Sequence, residues 1–243
     1  TQTPSRYAVL LNALAKGWTG ELHEEVQRLV PSSDLFLSDT FRQADKTVEK
    51  ILEKGYDVIF TGGGDGTVVY LINEIERHIQ EGNITREEAP PVGVLKMGTG
   101  NALAAMVGSG EITHDLRALR SGASLLVQPV QMVSDSRTLF PFAGFGWDAR
   151  VLNDYDLFKD QVRNTALENY ATGMTGYAAS VASRSILNVA LEEPAIAKIY
   201  NRGQKAYRID ENGRKLETFE KDELIYEGEV RVCAIATIPY WGF

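Results

Sequence analysis

Four glycines surround a single acid in Gly62-Gly63-Gly64-Asp65-Gly66, and the cluster joins two runs of different periodicity. Residues 57–60 are a short apolar run that reads as a buried strand. After the cluster, Val68, Leu71, Ile72, Ile75 and Ile79 recur at helical spacing. Glycine lets the backbone approach a ligand closely and adopt positive φ. A helix that starts at such a turn points unpaired N–H groups at whatever anion sits there. An acid in an anion site needs a reason. Asp65 either holds Mg²⁺ against phosphate oxygens, accepts the proton of an attacking hydroxyl, or caps a helix. No G-x-x-x-x-G-K-[ST] loop occurs anywhere in the chain, and the first turn lacks a dinucleotide fingerprint.

The flanking sequence gives this turn a context. Residues 7–11, 35–37 and 91–95 are further strand candidates. Residues 21–30 carry Leu22, Val26, Leu29 and Val30 at helical spacing, and Ala44, Val48, Ile51 and Leu52 mark a helix ending at Gly55. Short buried strands alternating with helices predict a parallel sheet covered on both faces. Past residue 124 the pattern becomes β-rich, with extended stretches at 125–133, 139–145, 195–200, 206–209 and 224–237. Glu211-Asn212-Gly213 reads as a hairpin turn, and one long helical region covers about 166–189. The expected fold is therefore α/β: a Rossmann-like domain over residues 1–128 and a β-rich domain over 129–243.

A second glycine turn, Gly98-Thr99-Gly100-Asn101, follows the strand at 91–95 and precedes the apolar helix Ala102-Leu103-Ala104-Ala105-Met106. Two such turns on strands of one sheet lie together at its C-terminal edge, where open α/β folds bind ligands. A net charge of −8 argues against a nucleic-acid partner, which requires a basic face, although local N–H groups can still hold phosphates. The lone Cys233 sits in an apolar run and reads as a buried strand residue. His23, His78 and His114 are scattered and read as surface residues, so no zinc site is expected. No apolar run reaches the roughly 18 residues of a membrane span. The N-terminus lacks a secretory pattern, so the expected location is the cytoplasm.

The GGDGT turn, followed about thirty residues later by a strand and Gly98-Thr99-Gly100-Asn101-Ala102-Leu103-Ala104, resembles the catalytic domain shared by diacylglycerol, sphingosine and ceramide kinases. NAD kinases and phosphofructokinases carry a related first turn. Gly144-Phe145-Gly146-Trp147-Asp148-Ala149 is similar to the lipid-kinase family's G-x-G-x-D-A signature. The resemblance implies an ATP-binding α/β domain, a β-sandwich domain and an active site between them. It also implies transfer from ATP, with Mg²⁺, to the hydroxyl of a lipid at a membrane surface. Gly62, Gly63, Gly64, Asp65, Gly66 and Thr67 match the family's phosphate loop, with Asp65 its essential acid. Gly98, Thr99, Gly100 and Asn101 match the second nucleotide loop. Asn12 stands where the family has Asn-Pro, and Ser38 aligns with a Thr that contacts nucleotide. Arg163 falls near a basic position that touches phosphates in sphingosine kinases. Asp148 is the implied headgroup residue.

Three departures qualify the match. Tyr70 stands where the family often has Glu. Arg150 replaces a second Asp that receives the amine of a sphingoid base, which favours a diacylglycerol-like substrate if 148 and 150 share a strand face. Family members also continue with further strands beyond the position of Phe243. Residues 170–187 either line an acyl-chain pocket or form ordinary core. The expected protein is a cytoplasmic lipid kinase that visits the membrane peripherally, with no nucleic-acid partner and with homodimer formation left open. The alternatives are an NAD kinase-like enzyme or a catalytically silent binder of the same fold.

Overall fold

The computed structural model describes residues 3–98, 101–135, 138–163, 165, 181 and 193–239, without the side chains of Phe41, Arg42 and Asp148. The chain divides into two compact units, Thr1–Phe142 with Ala236–Phe243, and Ala143–Ile235.

In the first unit, β1 (Tyr7–Asn12), β2 (Leu35–Ser38), β3 (Val58–Gly63) and β4 (Val92–Lys96) form one sheet in the order β2-β1-β3-β4. All three pairings are parallel. The intervening helices are α1 (Gly20–Leu29), α2 (Phe41–Glu53), α3 (Asp65–Gln80), α4 (Ala102–Met106) and α5 (Ile112–Arg120). Thr19 and Thr40 cap α1 and α2, their side chains accepting from the amides of Leu22 and Gln43.

Strand alternation sorts the core into two layers. Val9, Leu11, Val58, Phe60 and Leu95 pack with Val26 of α1 and Leu116 of α5. Ala8, Leu10 and Ile59 pack with Val48 and Ile51 of α2 and Leu71 and Ile75 of α3. Because β1 is buried on both faces, its sequence is a continuous apolar run rather than an alternating one. Truncating a fully buried Leu71 or Leu116 to Ala would cost about 2–5 kcal/mol. The chain leaves β1 for β2 on one side and then crosses to β3 on the other. This topological switch opens a crevice at the C-terminal ends of β1 and β3.

The first unit extends beyond residue 128 because the hairpin of β5 (Val133–Ser134) and β6 (Leu139–Phe140) is fastened to α3. Asn73 Nδ2 donates to the Leu139 carbonyl at 2.8 Å, and the Leu139 amide donates to Asn73 Oδ1 at 2.7 Å. Of the β stretch expected at 125–133, only Val133–Ser134 is a strand. Leu125 makes a single bridge and packs against the cluster that holds Leu95, while Leu126 and Val127 line a cavity of about 490 Å³ together with Gly93 and extend no ladder.

The second unit is antiparallel where it is β. Strand β7 (Phe142–Gly146) pairs with β12 (Val232–Ala236), β8 (Ala195–Tyr200) with β11 (Leu224–Val230), and β9 (Ala206–Ile209) with β10 (Lys215–Phe219). The turn at Glu211-Asn212-Gly213 joins β9 to β10, as expected. The acidic stretch from Glu217 onward belongs partly to β10, where Arg208 faces Glu217 at 3.0 Å and Lys205 faces Glu220 at 2.7 Å. Cys233 lies on β12 but is only partly buried.

Helix α6 (Trp147–Val162) was not anticipated. It begins because Gly146, at φ 92° and ψ −136°, turns the chain sharply out of β7. A Cβ there would overlap the Arg231 carbonyl, which also accepts from the Trp147 amide at 2.6 Å. The helix expected at 166–189 lies outside the described residues, as does the acyl-chain pocket considered at 170–187.

Candidate functional site

The C-terminal edge of the first sheet gathers most of the residues singled out from sequence. The register sets Leu11 beside Gly62 and Gly63 beside Lys96, so β1, β3 and β4 end together. Asn12 closes β1. Its Oδ1 accepts from the Leu14 amide at 2.9 Å, and its Nδ2 donates to Thr67 Oγ1 at 3.3 Å. The first strand is thereby tied to the opening turn of α3. Ser38, paired with Asn12 in the sheet, is buried, and its carbonyl accepts from the Ala13 amide at 2.9 Å.

The glycines of the first turn have different physical reasons. A Cβ on Gly62 would come within 2.5 Å of Leu11 Cδ2 and 2.6 Å of Met97 Sδ, and one on Gly63 would overlap the Thr67 side chain. Packing within the protein explains both. Gly64 is different. Its φ of −84° suits any residue, and a Cβ there would meet only Gly98 Cα, at 4.0 Å. Gly66, in the first turn of α3, would meet nothing within 4 Å. Glycine inside a helix costs about 1 kcal/mol relative to Ala, so an empty surround does not account for it. Open space at both positions leaves room for a ligand to approach the backbone closely. Gly64 provides no capping side chain, and none caps the start of α3; the Thr67 amide donates to the Gly64 carbonyl at 2.9 Å, which leaves the amides of Asp65 and Gly66 at the start of the helix.

The second turn packs against the first by backbone alone. A Cβ on Gly98 would overlap Gly64 and come within 3.0 Å of Gly63 O. Asn101 is 7% exposed and adopts the left-handed conformation at φ 55° and ψ 36°. Its side chain clamps one residue from both sides: Oδ1 accepts from the Gly98 amide at 2.8 Å, and Nδ2 donates to the Gly98 carbonyl at 2.5 Å. Asn101 therefore shapes the loop with its side-chain amide. Thr99 and Gly100 lie outside the described residues.

Asp65 joins the two turns. Its Oδ2 accepts from the Ala102 amide at 3.1 Å and its Oδ1 from the Leu103 amide at 2.9 Å, so the first residue of α3 caps α4. Each oxygen retains a further acceptor direction. Among the described residues no three of His, Cys, Asp and Glu come together as a metal cage. A carboxylate with acceptor directions to spare is nevertheless a donor suited to Mg²⁺, which takes few protein ligands. Gly64 and Gly66 leave the room that a phosphate chain requires.

Two features of this region were not read from sequence. Thr61 Oγ1, at the base of the first turn, is fully buried and has no hydrogen-bond partner. A hydroxyl within an otherwise apolar strand run was the available signal. Tyr70, noted only for the Glu it replaces, donates its phenol to Asp45 Oδ1 of α2, bringing a carboxylate beside that position from the neighbouring helix.

The remaining candidates lie elsewhere. Arg163 ends α6 in the second unit and pairs with Asp160 at 2.8 Å. Asp148 and Arg150 occupy the first turn of α6, not a strand end. Residues two apart share a face on a strand but are about 200° apart on a helix of 3.6 residues per turn. The expected pairing of their charges on one face is therefore corrected. His78 is also corrected: it is buried, with Nδ1 3.2 Å from Asn83 Nδ2 near the far end of α3.

Comparison with known proteins agrees with this geometry. The profile of the family described as diacylglycerol kinase catalytic domain matches residues 6–133. Diacylglycerol kinase 2 of Arabidopsis thaliana is 24% identical over 176 residues, covering 63% of the chain. The chain spans 24% of the length of that relative. The crystal structure of a diacylglycerol kinase from Bacillus anthracis superposes with a TM-score of 0.54 at 18% identity, covering 99% of this chain and 67% of that one. A further Bacillus anthracis structure gives a TM-score of 0.57 at 19% identity, covering 100% and 68%. These structural likenesses establish a shared fold.

Proposed function

The chain belongs to the diacylglycerol kinase catalytic-domain family, and from that premise we propose that it is an ATP-dependent kinase acting on the hydroxyl of a diacylglycerol-like lipid. The observation that supports this most is the pair Gly64 and Gly66, whose lack of side chains serves no contact within the protein and leaves open space over the start of α3. ATP with Mg²⁺ supplies the transferable phosphoryl group and neutralises part of its charge. The Asp65 and Gly66 amides at the start of α3 hold the phosphate oxygens. The backbone contact of Gly98 with Gly64, fixed by Asn101, keeps the two turns at one spacing. Asp65, held by the amides of Ala102 and Leu103, presents its remaining acceptor directions to the metal or to the attacking hydroxyl. Asn12, Ser38 and Thr67 line the adjoining edge on the nucleotide side, and Arg163 is assigned to phosphate. In the second unit, Asp148 is assigned to the lipid headgroup, with Arg150 on another face of α6. In the reaction, the lipid oxygen bonds to the γ-phosphorus, the bond from that phosphorus to the β–γ bridging oxygen breaks so that ADP leaves with that oxygen, and the hydroxyl proton passes to Asp65 or to water.

A lipid substrate brings the protein to a membrane surface, and no helix among the described residues is long and apolar enough to cross one. A nucleotide binder without turnover is the second reading, supported by the structural use of both Asp65 oxygens. Incubation with γ-labelled ATP, Mg²⁺ and vesicles containing diacylglycerol or sphingosine, with NAD as control, tests these readings. Label in the diacylglycerol phosphate is the expected result. Label in NAD alone overturns the lipid assignment, and ATP binding without transfer selects the silent reading.

A further inference from the structure

The nucleotide reading leaves a charge problem that the residues above do not solve. A triphosphate brings several negative charges to a protein of net charge −8 and sets them beside Asp65. A helix N-terminus offsets only about half a charge. Cations are needed at the same edge, and most described cations of the first unit are engaged elsewhere. Arg28 pairs with Glu24 and Arg117 with Glu25 on α1 and α5. Arg77 and Arg86 pair with Glu74, Glu81 and Glu76 along and beyond α3. Arg6 and Lys54 bind backbone carbonyls before β1 and after α2, away from the C-terminal ends of the strands.

Two lysines stand where the charge is required. Lys96 is the last residue of β4, exposed, and paired in register with Gly63. Lys16, also exposed, lies in the loop that follows β1. That loop is pinned to the end of β4: the Gly17 amide donates to the Met97 carbonyl at 3.3 Å, and a Cβ on Gly17 would come within 2.6 Å of the same oxygen. Each lysine is thus one residue from the Gly17–Met97 contact, and Met97 adjoins Gly98. In the sheet, β3 lies between β1 and β4, so the loop that carries Lys16 passes the end of β3 and the first glycine turn to reach the end of β4 beside Lys96. Neither lysine has an ion pair among the described residues. Exposed ammonium groups on flexible stems can close over phosphate as point charges without a preformed socket.

We propose that Lys16 and Lys96 form a two-ammonium clamp on the nucleotide's phosphate chain, making them substrate-binding residues of this site. The proposal rests on the nucleotide reading and adds to it a preference that grows with the number of phosphates. It predicts that the clamp, not the adenosine, carries the salt dependence of binding.

Calorimetry on the full chain with Mg²⁺ and ATP, ADP, AMP or inorganic tripolyphosphate tests it. Lys16→Ala and Lys96→Ala should each weaken ATP about tenfold, as expected for loss of a charge-assisted contact, and weaken AMP much less. The double variant should lose about a hundredfold and show a flatter dependence on ionic strength. Lys96→Arg should retain most of the affinity. Because both side chains are exposed, all variants should melt with wild type. If wild type binds ATP and an intact double variant binds it equally, the clamp is overturned and the kinase reading stands. If wild type binds neither ATP nor tripolyphosphate, both fall together.

Discussion

Asp65 and Leu103, 38 positions apart, are joined by a 2.9 Å hydrogen bond from the Leu103 amide to the Asp65 carboxylate. With the companion bond from Ala102, it makes the acid of the first glycine turn the cap of the helix that follows the second. Position and chemistry are therefore coupled in one side chain. Asp65→Asn keeps the shape but turns an NH₂ group toward one of the two amide donors. An unpaired donor costs about 1–3 kcal/mol, so the variant should melt lower as well as lose activity. Turnover should fall about a hundredfold or more if the carboxylate also serves metal or hydroxyl. Thermal melts and a labelled-ATP assay on the same preparation separate the effects. A lowered melting point with near-normal turnover would leave Asp65 as a cap alone.

Gly64 and Gly98 face each other across the turns, yet substitution should have opposite effects. Gly98→Ala forces Cβ into the Gly64 backbone, where nothing can yield cheaply, and should destabilise the protein by about 1–3 kcal/mol. Gly64→Ala meets only ordinary contact and has an ordinary φ, so its melting point should stay near wild type. Its ATP affinity should nevertheless fall about tenfold, or ~1.4 kcal/mol, because the methyl group enters the phosphate space. Unchanged affinity in a folded Gly64→Ala variant would remove the phosphate from this turn.

Most of the first unit was legible because its signals are local. Asp57-Val58-Ile59-Phe60 could only be a buried strand, and Val68, Leu71, Ile75 and Ile79 could only lie on one helix face. Helix α5 was missed although its signal was present: Ile112, Leu116 and Leu119 have helical spacing, and Glu111 caps the helix by accepting from the His114 amide. Helix α6 was absorbed into a β-rich reading because its start depends on Gly146 fitting against Arg231, a contact no short window contains. The site shows the same division. Its glycines and Asp65 are a string in the sequence, whereas the capping of α4 by Asp65 and the Tyr70–Asp45 bond require elements that meet only after folding.

Tyr56 gives the first unit a measurable alkaline limit. Burial, and then the hydrogen bond to Asp34 at 2.7 Å, push its phenol from an ordinary value near 10 up to about 12. A group whose pKa is raised by folding stabilises the fold fully below its unfolded value and loses that contribution as pH rises through the folded one. Stability should therefore decline between about pH 10 and 12. Tyr56→Phe should cost about 1 kcal/mol near neutrality and flatten this alkaline decline. Denaturant titrations at several alkaline pH values check both. An equally steep decline in the Phe variant would assign it to another group.

Asn101 allows backbone conformation and side-chain bonding to be separated at one position. Its left-handed backbone costs an ordinary L-residue roughly 1–2 kcal/mol, which Gly avoids and Asn tolerates. Its two bonds to Gly98 are a separate contribution. Asn101→Gly should retain the backbone and lose only the clamp, costing about 1 kcal/mol, whereas Asn101→Ala loses both and should cost about 2–3 kcal/mol. Because the clamp fixes Gly98 against Gly64, ATP affinity should fall in both variants. Melting points and calorimetric ATP affinities for the two variants check this. Equal melting points would show that left-handed strain contributes nothing here. Undiminished ATP affinity in both would show that the spacing of the two turns does not depend on Asn101.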